Sequence, residues 1–584
     1  MLRHFIYITM LAFSTAFVGS RITNPNRITS PAAINQYLDD KKRTTISCGP
    51  DWEVIDQLTD EMDIPIIPGT GNHTWIISTK NDSTQVYFNQ GINMYYSFHI
   101  IEAMASFKKA AKFDAGCAMV YWAQALAYGP NINDLGYIAS PEALKSLGMA
   151  LEFSGRATPA EQALIEAMAV RYTPDSADAT RAKLNAEYTE KMKKAYEAFP
   201  GNADVQALYA DAMMLEHPWD LWNNDGTPKP WTPLIETVLE NLLAYAPNHP
   251  GANHYYIHVM EPSPFAAKAL PSADILDELT PGLSHTVHMP SHIYLRTGHY
   301  NKGVTVNEKA VNDYEKTLGM YSPVAASDFL YLIHNLHMKT NVAMLAGRAA
   351  YSRQSAAATV NSIPADYLLA PAPMGSAVQY IYMVPTLVDI RFGNWDQLLK
   401  AEKPGEKMIY ANILHHFGRG MAFAFHTNIK DANAELAQMR ELMKDSGLYI
   451  PFAVFSPAIE GARVAENLLA GSIALAEKKY AAAILAFEKA ATTEENMVYT
   501  EPRDWLLSPK HFLGHAYLKA GLPEEAEAAF RKDLLVNNEN GWALYGLYQA
   551  LLMQKKKKEE ATEVLSRFKK AFEQADVNLT AAIF

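Results

Sequence analysis

The spacing of small and aromatic residues constrains this chain most, because one pattern recurs in register. Gly, Ala, Phe and Ala follow one another at intervals of 12, 4 and 3 residues in two places. These copies are Gly91, Ala103, Phe107 and Ala110, and Gly471, Ala483, Phe487 and Ala490. Gly514, Ala526 and Phe530 keep the first two intervals. Small residues let two helices approach closely, and the aromatic ring fills the gap towards the next pair, so the register predicts stacked helix pairs.

This register resembles the tetratricopeptide repeat (TPR), a pair of antiparallel helices over about 34 residues. Ser291, Gly303 and Ala310 form a weaker copy in phase, and Trp542 with Gly546 opens another helix. Segments with helical periodicity lie between the copies: Thr158–Val170, Ala182–Ala198, Pro233–Tyr245 and Ala432–Lys444. Strand-type alternation occurs only at Trp75–Ser78. We therefore predict an all-α fold, a right-handed α-solenoid of TPR-like helix pairs.

The first twenty residues are typical of a secretory signal peptide. Arg3 and His4 precede the apolar run Phe5–Val18, which ends at the small residues Gly19 and Ser20. The sequence thus predicts an exported protein, periplasmic or extracellular, with a retained membrane anchor as the alternative. No later apolar run reaches the roughly 18 residues of a membrane span. We assign 1–20 to the signal, 21–84 to an irregular N-terminal extension or cap, and 85–584 to the repeat array, with a histidine-rich central part at 249–340.

Charge and cysteine content exclude two classes of protein. The chain has 51 basic and 63 acidic residues and a formal net charge of −12, which argues against nucleic acid as a partner. Its two cysteines, Cys48 and Cys117, exclude a disulfide framework and a cysteine-ligated zinc ribbon. A single bridge between them stays open, the alternative being that Cys117 is a small buried helix residue.

Histidines are concentrated in the central part of the chain. Eight of the 18 histidines lie between residues 254 and 337. His254, His258 and Glu261 follow one another at i, i+4 and i+7, which places them on one face of a helix ending before Pro262. Two imidazoles four residues apart can chelate one metal ion.

Two further groups follow the first. His285, His288 and His292 share a face at i, i+3 and i+7, although Pro290 must start or kink a helix there. His334 and His337 belong to the next helix pair. Equivalent helices of a solenoid line one concave surface, so these groups are expected to converge. The predicted metal ligands are His254, His258, Glu261, His285, His288, His292, His334 and His337. The alternative is a structural polar network between helices, and the sequence does not separate zinc, copper and iron.

One carboxylate outside this region is a candidate catalytic residue. Gly471 and Gly514 lie 43 residues apart, which implies an insertion of about nine residues containing Glu501–Trp505. Insertions in a solenoid map to one face, often the binding face. Glu501 is therefore a candidate general base to a metal-bound water. The sequence contains no phosphate-binding P-loop, G-x-S-x-G elbow or His-Glu-x-x-His motif.

Several stretches resemble a group of exported bacterial proteins of the TPR superfamily. The stretches are Tyr87–Gly91, Gly129–Asn133, His249–His258, His288–Tyr294 and Glu501–Trp505. The resemblance covers nearly the whole mature chain and implies an α-helical repeat fold. It implies no particular reaction, substrate or metal.

Two functions are consistent with these features. The first is an exported α-solenoid that binds a protein, a peptide or a small-molecule ligand in its concave groove and carries a histidine-rich metal site. The second is a metal-dependent hydrolase or oxidoreductase that uses the central histidines with Glu261 or Glu501.

Overall fold

The computed structural model describes residues 52–133, 137, 139–175, 177–326, 329–555 and 557–584. The predicted signal peptide, residues 21–51 of the N-terminal extension and Cys48 lie outside these ranges. A Cys48–Cys117 bridge therefore stays a prediction. The Cys117 thiol itself is buried.

The described residues form an all-α solenoid, as predicted. Their only β-type pairing is an isolated bridge between Trp222 and Pro228. The first nine helices are α1 (Trp52–Glu61), α2 (Asp82–Tyr96), α3 (Ile100–Phe113), α4 (Ala118–Ala127), α5 (Pro141–Phe153), α6 (Pro159–Met168), α7 (Arg181–Ala198), α8 (Ala203–Glu216) and α9 (Thr232–Tyr245). Next come α10 (Pro250–Met260), α11 (Leu270–Leu279), α12 (Ser284–His288), α13 (Pro290–Thr297), α14 (Tyr300–Met320), α15 (Phe329–Leu345), α16 (Ala349–Ser362), α17 (Met374–Tyr382) and α18 (Val384–Arg391). The last nine are α19 (Trp395–Lys400), α20 (Ile409–Phe425), α21 (Ile429–Leu442), α22 (Ala458–Ala476), α23 (Tyr480–Asn496), α24 (Pro509–Ala520), α25 (Pro523–Leu534), α26 (Gly541–Gln554) and α27 (Lys558–Ala571).

The repeat register marks close contacts between helices. A Cβ atom built on Gly91 would lie 2.4 Å from the Phe107 ring, and one on Gly471 would lie 2.4 Å from the Phe487 ring. The aromatic residue thus packs on the glycine of its own helix pair. Phe530 also packs on Gly546 in the following pair, where the corresponding distance is 2.3 Å. Here the ring fills the gap to the next repeat as well.

We expect Gly471→Ala to destabilise the chain by about 1–3 kcal/mol, because the added methyl group would overlap the Phe487 ring in a packed core. Gly148→Ala is the matched control, since this glycine lies inside α5 with no atom within 4 Å of an added Cβ. That control is expected to stabilise by about 0.5–1 kcal/mol through helix propensity. Chemical unfolding of both variants measures the difference, and equal effects would contradict the close-contact role of Gly471.

The segment Trp75–Ser78 is extended but does not form a strand. Trp75 and Ile77 are buried, whereas Ile76 between them is 73 % exposed, so the predicted alternation is present. Side chains of α2 take the place of a partner strand. The Trp75 amide donates to Asn89 Oδ1 at 3.2 Å, and the Ile77 amide donates to Gln85 Oε1 at 3.1 Å.

The C-terminal helices fold back onto the middle of the chain. The Tyr300 hydroxyl donates to the Asn538 carbonyl at 2.6 Å, and the Trp542 indole donates to the Met344 carbonyl at 2.9 Å. The segment before α24 approaches the α8–α9 connection, where Asn224 Nδ2 donates to the Asn496 carbonyl at 3.2 Å. The central helices are therefore covered by later parts of the chain. No helix among the described residues has the length and apolar character needed to cross a membrane.

Candidate metal centre

The helix α10 presents two histidines to a third on α12. His254 and His258 share one face of α10, and their Nε2 atoms lie 3.1 Å apart. His285 Nε2 lies 3.1 Å from His254 Nε2. We call these three histidines triad A. Their ligand atoms all lie within 4.8 Å of one another, as binding of one metal ion requires.

A second group forms where Pro290 interrupts the helix. The interruption separates α12 from α13, and it places His288 and His292 with their Nε2 atoms 2.8 Å apart. His334 on α15 adds a third Nε2 atom 3.1 Å from that of His288. We call these residues triad B. The two triads adjoin, because the ring centroids of His285 and His288 are 5.8 Å apart.

The Nδ1 atoms of His254 and His288 point out of the triads, and their hydrogen bonds determine whether the Nε2 atoms of these rings inside the triads carry a proton. His254 Nδ1 donates to the Tyr96 carbonyl at 2.6 Å. His288 Nδ1 donates to Asn307 Oδ1 at 3.0 Å, and the amide is oriented by donation from its Nδ2 to the Gly303 carbonyl. A neutral imidazole that donates through Nδ1 carries a lone pair on Nε2. These outer partners therefore turn the lone pairs inwards.

Glu261 joins the two triads from outside. Its Oε1 lies 3.1 Å from His258 Nδ1 in triad A, and its Oε2 contacts His292 Nδ1 in triad B. A carboxylate in this position orients the imidazole and raises its basicity as a metal ligand. The predicted ligand Glu261 thus lies behind two ligand candidates and outside both triads. One carboxylate serves both groups.

Burial keeps most of the cluster neutral. Removal from water holds the pKa of His254, His285 and His288 well below the usual value, and the neighbouring histidines lower it further. His292 differs: burial lowers its pKa, but the charge of Glu261, the hydrogen bond to that carboxylate and the charge of Glu501 together raise it above the usual value. Burial opposes ionisation of Glu261, but His292 and His258 lower its pKa to about 2. In the described chain the site thus contains one firmly ionised carboxylate, that of Glu261, and three rings that burial keeps neutral, those of His254, His285 and His288.

Aromatic rings cover triad A. The Phe98 ring centroid lies 4.5 Å from that of His254 and 5.4 Å from that of His285. Its backbone has φ 55°, a left-handed conformation that is strained for a bulky residue. The Trp219 ring meets His258 edge-on at 5.6 Å. Triad A is therefore enclosed, whereas His334 in triad B keeps partial exposure.

The candidate base Glu501 approaches triad B from the covering segment. Its carboxylate accepts a hydrogen bond from the Tyr499 hydroxyl, and its Oε2 is buried with no hydrogen-bond partner among the described residues. Burial raises the Glu501 pKa to about 7, against the opposing influence of His292 and Arg296. The insertion between the repeats thus brings a second carboxyl group close enough to the cluster for its charge to act on His292.

Six of the eight predicted ligands come together in the triads, and two do not. Besides Glu261, His337 lies apart from both groups. It is buried beside the Tyr380 ring at 6.1 Å, and its Nε2 has no hydrogen-bond partner among the described residues. His334 and His337 are three residues apart, and this spacing alone did not show that His334 faces triad B while His337 faces the core.

Because burial lowers the His337 pKa to about 3, this ring should weaken the fold in acid. The unfolded chain binds the extra proton between pH 6.5 and 3, so stability falls as pH decreases through this window. We expect His337→Gln to gain about 2 kcal/mol relative to the natural chain between pH 8 and pH 5. The partly exposed His426 supplies the control, His426→Gln. Parallel pH profiles of unfolding free energy for all three proteins would refute the expectation.

The structure also reveals a polar cluster that the sequence analysis missed. His73 Nε2 lies 2.8 Å and His249 Nε2 3.4 Å from Asp204 Oδ1, and the Tyr96 hydroxyl donates to the same atom at 2.9 Å. His249 Nδ1 accepts from the Ala252 amide at 3.1 Å, so neutral His249 carries its proton on Nε2. This ring caps α10 and turns its Nε2 towards Asp204. The cluster is a hydrogen-bond network that anchors α10, and His73 is 131 residues from Asp204 in sequence.

Fold and cluster together define a TPR-like α-solenoid protein with a buried six-histidine centre. No family model and no curated protein matches the sequence. Among solved structures, a human IFIT1 dimer with m7Gppp-AAAA is 10 % identical with a TM-score of 0.30, over 94 % of this chain and 98 % of that one. The APC/C hetero-tetramer Cut9-Hcn1 is 13 % identical with a TM-score of 0.25, over 85 % and 90 %. Yeast Tom70 is 10 % identical with a TM-score of 0.26, over 92 % and 98 %.

Proposed function

We propose that the chain is a metalloprotein whose centre holds two metal ions, one in each triad. One observation carries this proposal. Two imidazole Nε2 atoms face each other inside the cluster, while the Nδ1 atom of each of these rings already donates a hydrogen bond on the outside. His254 and His258 face each other at 3.1 Å between Nε2 atoms, with Nδ1 contacts to the Tyr96 carbonyl and Glu261. Two inward lone pairs at this distance repel one another unless a cation lies between them. A structural polar network would instead place a proton on one of these nitrogens.

Copper fits this donor set best. The triads offer only imidazole, which suits copper, zinc, iron and nickel, and Cu²⁺ stands at the top of the affinity order for such ligands. Buried charge requires compensation. The two carboxylates whose charges act on His292 are those of Glu261 and Glu501. Two Cu⁺ ions match these two negative charges, whereas two Zn²⁺ ions would bring twice as much positive charge.

The role we propose is that of an oxidoreductase that uses dioxygen. The two triads would hold a pair of Cu⁺ ions, which would supply the two electrons that, with two protons, reduce dioxygen to hydrogen peroxide; an organic two-electron donor would restore the pair. The cavities that touch His258 and Glu501 have volumes of about 10 and 20 Å³. They admit water-sized molecules and match a small oxidant. Glu501 would deliver protons, and the aromatic cover of triad A would exclude bulk water.

Metal analysis of the whole chain, purified without a histidine tag, tests the centre. We expect two copper ions per chain after loading, and about one in His285→Ala and in His334→Ala, since each removes a ligand from one triad without touching Glu261. His426→Ala, a partly exposed histidine, should keep two. Failure to bind copper, zinc or ferrous iron would refute the centre. Preferential retention of two zinc ions would refute the copper assignment alone.

A further inference from the structure

A small cavity lies beside Glu501. Its volume is about 20 Å³. Its charged and amide lining comes from Arg296, Asn341, Arg391, Glu494, Glu501, Arg503 and Asn537. The end of α13, the end of α18 and the segment after α23 therefore meet here.

Arg391 is a buried positive charge that forms no ion pair with a carboxylate of the described residues. The side chain is 4 % exposed, and no carboxylate of the described residues lies within ion-pair distance of it. Its Nη1 donates to His511 Nδ1 at 3.1 Å, and His511 Nε2 donates to Asp533 Oδ2 at 2.9 Å. The nearest carboxylate thus reaches Arg391 only through an imidazole ring. Burial lowers the Arg391 pKa to about 10.

Hydrogen bonding leaves one edge of this guanidinium unused. Its Nη2 is buried and has no hydrogen-bond partner among the described residues. The Trp542 ring covers one face, with Arg391 Cζ 4.8 Å from the ring centroid. A buried guanidinium with an unused N–H group is costly unless an anion or acceptor completes it.

Neither of the carboxyl groups that line the cavity, Glu494 and Glu501, lies within ion-pair distance of Arg391 in the described structure. Glu494 is shared by Arg503 and Lys510, each at 2.8 Å, so its charge is already matched. Arg296 Nη2 donates to the Ser263 carbonyl at 3.1 Å, whereas its buried Nε has no partner among the described residues. Two guanidinium groups thus present unused N–H donors around one cavity.

We propose that this cavity binds a halide ion, chloride in its natural setting, between Arg391 and Arg296. A single anion would accept the unused N–H groups and supply the missing negative charge. The small volume suits a monatomic ion. The halide and the metals have separate ligands, since neither arginine contacts a histidine of either triad in the described structure, while Glu501 lies close to both sites.

Thermal and chemical unfolding of the whole chain at constant ionic strength tests the proposal, with bromide or chloride replacing gluconate. Above the dissociation constant, each tenfold increase in halide should shift the unfolding equilibrium constant about tenfold. Arg391→Met and Arg391→Lys should reduce or abolish this dependence. Arg440→Met, at a 57 % exposed side chain paired with Glu466, should keep it.

Bromide anomalous scattering from crystals locates the ion directly, so the proposal does not depend on the variants folding. A peak between Arg391 and Arg296 at millimolar bromide supports it. A cavity without such a peak, a peak only at molar bromide, or stabilisation by formate and not by halide would each overturn it. The copper content of the same sample is a separate readout, so failure of one site is distinguishable from failure of the other.

Discussion

Replacing Glu261 with glutamine is expected to weaken metal binding at both triads together, by about 10- to 100-fold at each. The carboxylate accepts from His258 with one oxygen and faces His292 with the other. Glutamine has a similar size but offers one acceptor oxygen and one NH₂ group. One of the two histidines would then meet a donor, and its Nδ1–H could not be accommodated without a change of tautomer or ring position.

Competition between the protein and a copper chelator of known affinity measures this effect at each site. The control is Glu240→Gln, at a carboxylate that bonds Tyr256 and Lys268 away from both triads. His285→Ala provides the contrast, because it should weaken triad A and spare triad B. A loss confined to one triad in Glu261→Gln would show that the carboxylate does not join the two sites.

Glu501→Gln is expected to slow dioxygen reduction by about 10²- to 10⁴-fold while both copper ions stay bound, which is the range for loss of a general acid. Glu501 lies outside both triads and supplies no ligand atom, so at saturating copper its loss should leave metal content unchanged, although the loss of its charge should lower copper affinity. Its buried carboxyl group, with a pKa of about 7, can hold or release a proton near neutral pH. Glutamine keeps an acceptor for the Tyr499 hydroxyl but carries no transferable proton.

Oxygen uptake by the copper-loaded chain, with ascorbate as electron donor, measures this rate. Glu488→Gln, at an exposed carboxylate on α23 that accepts from Tyr517, is the matched control. If Glu501→Gln kept the full rate, the acid–base role would be wrong. If it lost copper with its rate, Glu501 would instead stabilise the charge of the metals.

The sequence predicted the repeat architecture because local spacing determines it. A glycine and a phenylalanine 16 residues apart, such as Gly91 and Phe107, meet across one helix pair, and the close contact excludes larger side chains. The break at Pro290 also follows from a local cause, the missing amide hydrogen. Helical periodicity likewise placed His254 and His258 on one face of α10.

The division of the histidines into two triads could not be predicted from these spacings. His285 and His288 are three residues apart on α12, yet they belong to different groups, because one ring meets the histidines of α10 and the other meets those of α13 and α15. His337 shares the i+3 spacing with His334 but faces the core near Tyr380. The outer partners of the rings, the Tyr96 carbonyl and Asn307, come from other helices and show no signal in the sequence.

Sequence alone therefore determined the all-α repeat fold and the helices that carry the histidines, because both depend on residues within a few turns of one another. Tertiary structure decided what the histidines face. The return of the C-terminal helices covers the central surface, brings Glu501 to triad B and leaves Arg391 buried beside a cavity. These contacts join residues hundreds of positions apart, and only the packing of whole repeats fixes their distances.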